Sequence, residues 1–502
     1  MKKTILARIL LIVMLLSVTL VSCDMDDGAI DFDRVENEIK NAVSTLDSYP
    51  HSEKVPADPN INWGTGNNDT TGNWGTGTGE YPNYDSDNLG YPDFQGQRIV
   101  FISRSVAGEE EALFSYGSGS TPLSQAVYQR LRTVEDRYNV LFDFIITSDS
   151  EVTNRVRQSY LAGLFEYDVA GVRGYNMMTF ASEGGLENWN DLDCIDLSSS
   201  HWYESARENL AMPNGELYAM DGDISYKSLD SAGVMFFNED LLANYGINNV
   251  YDKIANGTWT MEAFLSMVKD IDNPSGYVTL RSQAPLLAAR STGRSVVRNG
   301  GQYVFNWDNE RTVSFMDDFL SVIKQTNIVT VNSTSDSTAL LNNFLDGNAV
   351  FTDSSYGSIK EMKDINFSVG MAPWPKADVN DGYTASVNAS TTLYTIPYNS
   401  YERIKMTSIV LDGFAKEGQK TLMKDYYYNQ VLMRYCTSAN MYDCAVLIHN
   451  SLTYDIGVMG NFSNAIAQLP ATSYSSGTFA SNVTSKSSQI NAYILEWNTT
   501  FP

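Results

Sequence analysis

The chain has 502 residues, with 60 acidic against 34 basic side chains and a formal net charge of −26 at pH 7. A surface of that sign repels phosphate backbones and anionic headgroups, which excludes nucleic acid and a membrane surface as principal partners. Tyrosine is used heavily, at 30 residues beside 8 Trp; rings with a polar edge suit walls that stack on a ligand and still hydrogen-bond to it.

The first residues form a targeting segment. Lys2, Lys3 and Arg8 precede an apolar run, Ile9–Leu20, that is too short to span a bilayer. The run ends in Leu20-Val21-Ser22-Cys23, the lipobox pattern of bacterial lipoproteins. Residues 1–22 are thus expected to be a signal peptide and Cys23 the diacylated anchor, each buried methylene contributing ~0.8 kcal/mol. Residues 23–97 follow as a lipid-anchored tether. Phe32, Val35, Ile39, Val43 and Leu46 share a helical face, and beyond them Asn, Gly, Thr and Pro dominate, with Asn62-Trp63-Gly64-Thr65-Gly66 recurring as Asn73-Trp74-Gly75-Thr76-Gly77. Roughly 400 residues remain, more than one hydrophobic core supports.

The folded part opens with a strand at Arg98–Ser103 and a helix at Pro122–Tyr138. A strand at Val140–Thr147, a helix at Glu151–Leu161 and a strand at Tyr167–Val172 follow. That alternation predicts a parallel α/β sheet, whose ligands sit at the carboxyl ends of the strands. The strand-end loops 103–120, with Arg104, and 173–176, with Arg173, Tyr175 and Asn176, are the candidate contacts. Leu217–Met220 and Val234–Phe237 read as two further strands around the turn Asp221-Gly222-Asp223. Asn238 caps a helix that stops near Gly246. Amphipathic helices are expected at Asp308–Lys324 and Ser337–Leu345, and a helical C-terminal third at Tyr401–Lys416, Gln419–Tyr435 and Gly477–Trp497.

The wording of one stretch is more specific than its shape. Val234-Met235-Phe236-Phe237-Asn238-Glu239-Asp240-Leu241-Leu242, with Gly246, resembles the interlobe crossover of the family-1 extracellular solute-binding proteins of ABC transporters, the maltose-binding-protein type. There the crossover runs "F-Y-N-K-D-L-L-x-x-x-G", and Glu239 stands here in place of the basic residue. The likeness continues collinearly. Gly184–Leu192 matches "G-x-L-x-D-L-x-x-L", His201–Ala206 "W-W-x-x-S-A", Gly257–Phe264 "G-x-W-T-W-D-x-F", Asp346–Asp353 "F-x-x-G-x-x-A", and Gly370–Pro375 "G-x-x-P-x-P". Arg434 and Tyr454–Gly457 also resemble the end of that family, without its aromatic-rich continuation.

The resemblance implies an α/β fold of the two-lobed periplasmic-binding-protein type, with a ligand cleft between two domains joined by a hinge. On that scheme the first lobe comprises 98–222 and a return segment 381–435, the second 223–380 and a helical part 436–502. The hinge lies near Asp221–Ser225. Tyr167-Asp168-Val169-Ala170 matches the family's strand before its contact loop, so Arg173, Tyr175 and Asn176 take a binding role by resemblance. Trp202, Asp223, Tyr226, Tyr356, Trp374 and Tyr383 complete the candidate ligand set. Trp259 is expected to be a packing anchor, with Thr260 as cap of the next helix.

The implied function is capture of a solute, with an oligosaccharide favoured and a peptide or another polar metabolite as alternatives. A monomer held at the cell surface by its lipid would deliver that solute to an ABC permease. The competing readings are a surface glycan-degrading hydrolase and a structural lipoprotein. A glycosidase needs two carboxyl groups held in register, and in a chain this acidic the sequence singles out no pair. No serine elbow, phosphate loop or metal-ligand cluster is present, so no catalytic residue, cofactor or metal is assigned. Cys436 and Cys444, eight apart, can pair as a disulfide in an exported chain or stand as thiols. With His449 they lack the fourth ligand of a zinc site.

Overall fold

Most strands of the described residues pair into two larger sheets, and the buried apolar side chains form one continuous cluster that runs through both. The computed structural model describes residues 91–106, 112–115, 121–271, 278–324, 328–330, 334–460 and 464–502, which all belong to the unit Val55–Pro502. Cys23, the signal peptide and the tether up to residue 90 lie outside the described residues. Among those described, no helix is long and apolar enough to cross a membrane.

The first sheet is built from β1 (Gln97–Arg104), β2 (Val140–Thr147) and β3 (Val169–Val172), all parallel, with β12 (Leu393–Thr395) antiparallel on the edge of β3. The order is β12-β3-β1-β2. Its strands are short apolar runs because both faces are covered, as by the helix Pro122–Tyr138 that returns from β1 to β2. Thr121 caps this helix in a reciprocal capping box with Ser124. Asp168, just before β3, accepts from the Val100 amide at 2.7 Å and pairs with Arg403, which fastens the helix Tyr401–Gly418 to the sheet.

The second sheet runs β10-β4-β9-β5-β8. β4 (Gly233–Asn238) and β10 (Val369–Pro373) are antiparallel neighbours, β9 (Phe351–Ser355) is antiparallel to β4, and β5 (Val278–Leu280) and β8 (Ile328–Thr330) lie parallel to β9. A hairpin, β6 (Val296–Asn299) with β7 (Gln302–Phe305), and a two-residue parallel pair, β11 (Ala385–Ser386) with β13 (Leu452–Thr453), stand apart. Asn238 caps the helix Glu239–Asn244 and Thr260 caps Met261–Asp270, as the sequence predicts. Leu217–Met220 differs from expectation: it makes one bridge, Met220 to Tyr394, and no ladder. The chain turns away at Asp221 to cross to the second sheet before a second pair can form.

Three passages of chain meet at that turn. The buried Asp221 carboxylate accepts from the Gly222 amide at 2.8 Å, from Ser228 Oγ, and from Tyr454 Oη at 2.8 Å, while Ser228 reaches Thr391 Oγ1 at 3.1 Å. Gly222 has to be glycine, since a Cβ there would lie 2.2 Å from the His201 carbonyl oxygen. Arg130 is buried beneath the turn and donates to the Ile224, Ala112 and Leu113 carbonyls; burial lowers its pKa to about 9.

Two predictions follow from this architecture. Trp259 is fully buried, donates Nε1 to the Pro373 carbonyl at 2.9 Å and packs on Phe264 and Phe351. Trp259→Ala opens a cavity and is expected to lower the unfolding free energy by ~3–5 kcal/mol in a urea titration; a loss under about 1 kcal/mol would contradict the packing. The second concerns Asp223, which burial pushes up to about 7 against the opposing pull of His201, Tyr203, Gln419 and Arg130. Its unfolded value is about 4, so between about pH 4 and pH 7 the folded state binds the extra proton, and stability from this group is lost as pH rises. Calorimetry from about pH 5 to about pH 8 should therefore give a melting temperature that falls less in Asp223→Asn than in the native chain. Identical slopes would refute the shift.

Candidate functional site

The antiparallel placement of β12 and β4 decides what the cleft contains. The carboxyl ends of β1 and β3 share an edge with the amino end of β12, and the carboxyl ends of β5 and β9 share one with the amino end of β4. Both edges open into a single cleft of about 560 Å³, a size within the range of small-molecule sites. Arg104 and Arg173 come from the first edge, with the loop Asn388–Thr392 that leads into β12. Gly233, Arg281 and Ser355 come from the second.

The charged groups of this cleft are braced in two ways. Arg104 donates to the Ser390 carbonyl and lies 3.3 Å from Asp149 Oδ1. Arg290, on the helix Ala284–Ser291, gives its terminal nitrogens to the Val387 and Thr453 carbonyls, both at 2.8 Å. These two tie the return loops to the walls. Arg173 and Arg281 are held from behind instead. Arg173 Nε lies 2.9 Å from Asp149 Oδ2, and Arg281 Nε donates to Asp353 Oδ2 at 2.9 Å. Lys227 is paired with Asp230 at 2.7 Å, and Asp230 also accepts from Tyr426 Oη at 2.8 Å. Hydroxyl and amide groups of Ser231, Gln283, Ser355, Asn388, Thr391 and Thr392 fill the lining between the charges. None of the described residues that line the cleft is aromatic.

Of the residues singled out from sequence, the structure brings Arg173 and Arg104 to this cleft. Tyr175 and Asn176 sit on the helix Gly174–Ser182 behind it and are not part of the lining, Asn176 being buried. The aromatic candidates are a correction. Tyr356 is 0 % exposed at the end of β9, enclosed near Tyr426 and Tyr427, and its hydroxyl is pushed well above its usual range by burial. Tyr226 stacks on Tyr426 at 4.1 Å, and Trp374 is buried beside β10. The two tyrosines fill the seam where the helical run Gln419–Tyr435 packs on the turn Tyr356–Asp364, and Trp374 is buried at the end of β10, so none of the three leaves a face for a solute.

Trp202 is fixed by an Nε1 hydrogen bond to Asp412 at 2.9 Å and edge-on packing against Trp189. With Tyr383 it borders a second, more open depression near Tyr203 and His449, separate from the cleft lining. Asp223 is buried in the crossover, as described above. The disulfide left open by sequence is not formed: Cys436 and Cys444 are free thiols, and burial pushes each up to about 12. Among the described residues no group of three His, Cys, Asp or Glu is placed to hold a metal ion. Arg281 and Arg290 were not identified from sequence. Arg281 directly follows β5, so the strand-end rule that selects Arg173 selects it too once that three-residue strand is known.

No family model and no curated protein matches the sequence. Solved structures do match the fold. The galacto-N-biose-/lacto-N-biose I-binding protein of the ABC transporter from Bifidobacterium longum aligns with a TM-score of 0.54 at 13% identity, over 81% of this chain and 98% of that one. The cyclic alpha-maltosyl-1,6-maltose binding protein from Arthrobacter globiformis gives 0.54 at 11%, over 80% and 100%. An ABC substrate-binding protein from Listeria monocytogenes in complex with cycloalternan gives 0.52 at 12%, over 79% and 98%. All three are described as binding proteins. At such identities the likeness speaks for architecture, and the chain has the two-lobed α/β fold of ABC-transporter substrate-binding proteins.

Proposed function

We propose that this protein is the extracytoplasmic solute receptor of an ABC importer, and that its solute is an oligosaccharide. The observation that carries the reading is the position of the cleft: both walls are strand ends, each from a different sheet, and three passages of chain connect the two sides beside Asp221. The saccharides bound by the structural neighbours support the solute class. So does a lining rich in serine, threonine and amide groups, which match saccharide hydroxyls. On this reading one lobe comprises 98–222 with 381–435 and the other 223–380 with 436–502, and rotation occurs about Asp221–Ser225. Solute shifts an open–closed equilibrium by its greater affinity for the closed form, and a permease recognises that form. No bond is made or broken. The mature chain acts as a monomer, with Cys23 as its lipid anchor.

Ligand that binds only the folded state stabilises it by RT ln(1 + [L]/Kd), ~4 kcal/mol at a thousandfold excess over Kd. A thermal-shift screen of oligosaccharides, peptides and polyols is therefore expected to give its hits among oligosaccharides, with each hit recovered unaltered by chromatography. A shift with peptides alone would discard the solute class, and conversion of a hit to smaller products would favour the hydrolase. The anchor is tested separately: Cys23→Ser is expected to move the protein from the membrane fraction to the soluble fraction or to leave it unprocessed. Unchanged, fully processed membrane retention would remove the lipid.

A further inference from the structure

We infer that the solute is an anionic saccharide, one whose sugar carries a carboxylate or another oxyanion substituent, gripped between Arg173 and Arg281. This rests on the receptor reading above and narrows its substrate class.

The chain as a whole is strongly acidic, yet among the described residues five cations and one carboxylate line the cleft. Two of the cations serve as braces: Arg290 spends both terminal nitrogens on backbone carbonyls, and Arg104 spends one on the Ser390 carbonyl. Lys227 is neutralised by Asp230. Arg173 and Arg281 differ. Each has a carboxylate behind Nε: Arg281 donates to Asp353, and Arg173 forms an ion pair with Asp149 without hydrogen-bond alignment; neither terminal amino group makes a hydrogen bond to the described protein. A guanidinium held that way presents four N–H donors in a plane. Such an edge matches the two oxygens of a carboxylate, or those of a sulfate or phosphate ester, by parallel hydrogen bonds. The side chains keep 36% and 17% of their surface, so the edges are open to the cleft rather than sealed in protein.

Their positions suit a receptor that closes. Arg173 belongs to the β3 edge of the first sheet and Arg281 to the β5 edge of the second, so each lobe offers one donor fork. An oxyanion between them is bound by both only when the lobes approach, which ties recognition of the charge to closure. The described lining agrees: a neutral saccharide is usually gripped by stacking on rings, and the described residues of this cleft offer charge and hydroxyl groups. Asp353 balances Arg281, whereas Asp149 is shared by Arg173 and Arg104, so positive charge is left over on the first edge for an anion to meet.

The test uses the full chain and titration calorimetry with four probes: trigalacturonate, its methyl ester, a sulfated trisaccharide and maltotriose. Trigalacturonate or the sulfated sugar is expected to bind about tenfold to a hundredfold more tightly than the uncharged probes, as loss of a charge-assisted pair predicts, and to weaken as salt is raised. Preference between these two tells a carboxylate from a sulfate ester, and either supports the inference. Arg173→Gln and Arg281→Gln should each remove about tenfold or more of that preference while leaving residual binding of the uncharged probes. Arg173→Lys and Arg281→Lys keep the charge without the fork and should restore only part of it. Unliganded melting temperatures of all four variants separate lost recognition from lost folding. Tight binding of maltotriose or the methyl ester, indifferent to both arginines, would overturn the anionic class and leave the saccharide receptor standing. No binding by any of the four probes, charged or neutral, would overturn the saccharide reading itself.

Discussion

The buried carboxylate of Asp221 is the constraint on which the rest depends. A charge or dipole taken out of water has to find partners inside the protein, and Asp221 finds them on three separate passages of the chain: its own turn at Gly222 and Ser228, Thr391 through Ser228, and Tyr454. Satisfying this one group fixes where the first crossing, the return loop and the C-terminal segment lie relative to each other. The return loop leads directly into β12, whose edge place on the first sheet brings residues 388–392 to the cleft. The first crossing leads into β4, whose amino end faces the same space. A turn held together by buried polar contacts and by close backbone approach, as at Gly222, has few ways to rearrange. On the proposed receptor reading, this would confine motion to rotation of one lobe against the other.

The cleft applies the same logic with the sign reversed. Asp149 and Asp353 are spent on orienting arginines, and Asp353 is fully buried while it does so. Buried ion pairs contribute little to stability once desolvation is counted. Their effect here is geometric: a guanidinium pinned at Nε has lost the torsional freedom that a free arginine gives up on binding. Arg104 and Arg290 extend the arrangement, since their bonds to the carbonyls of Ser390, Val387 and Thr453 hold the loops that frame the opening. Four arginines thus stand in one cleft of an acidic protein, two as structural braces and two as presented donors.

The fold was far more legible than the site. The crossover wording around Asn238 and the "G-x-W-T" segment around Trp259 mark positions where local chemistry and packing coincide: Asn238 and Thr260 cap helices, and Trp259 fills the space between helix and sheet. Tyr356 shows why the site was harder. An aromatic at the end of a strand has the same local pattern whether its ring faces solute or the neighbouring lobe, and here the helical run 419–435, some seventy residues away in sequence, packs over it. Tyr226 is covered in the same way by Tyr426. Arg281 escaped notice for the opposite reason, because β5 is three residues long and follows a stretch without a clear apolar period.

By itself the sequence determined the elements and their order: the strand–helix alternation of the first lobe, the capped helices and the crossover. These follow from periodicity, capping residues and turn chemistry, which act over a few neighbours and leave their mark on any short window of the chain. Only the tertiary structure decided which strand ends meet, which rings are spent on the seam between lobes, and which cations keep an open edge. Those outcomes depend on partners far away in sequence, as Arg281 on Asp353 and Asp221 on Tyr454. Burial and charge pairing are properties of the assembled neighbourhood, and a side chain carries no local sign of the neighbourhood it will enter.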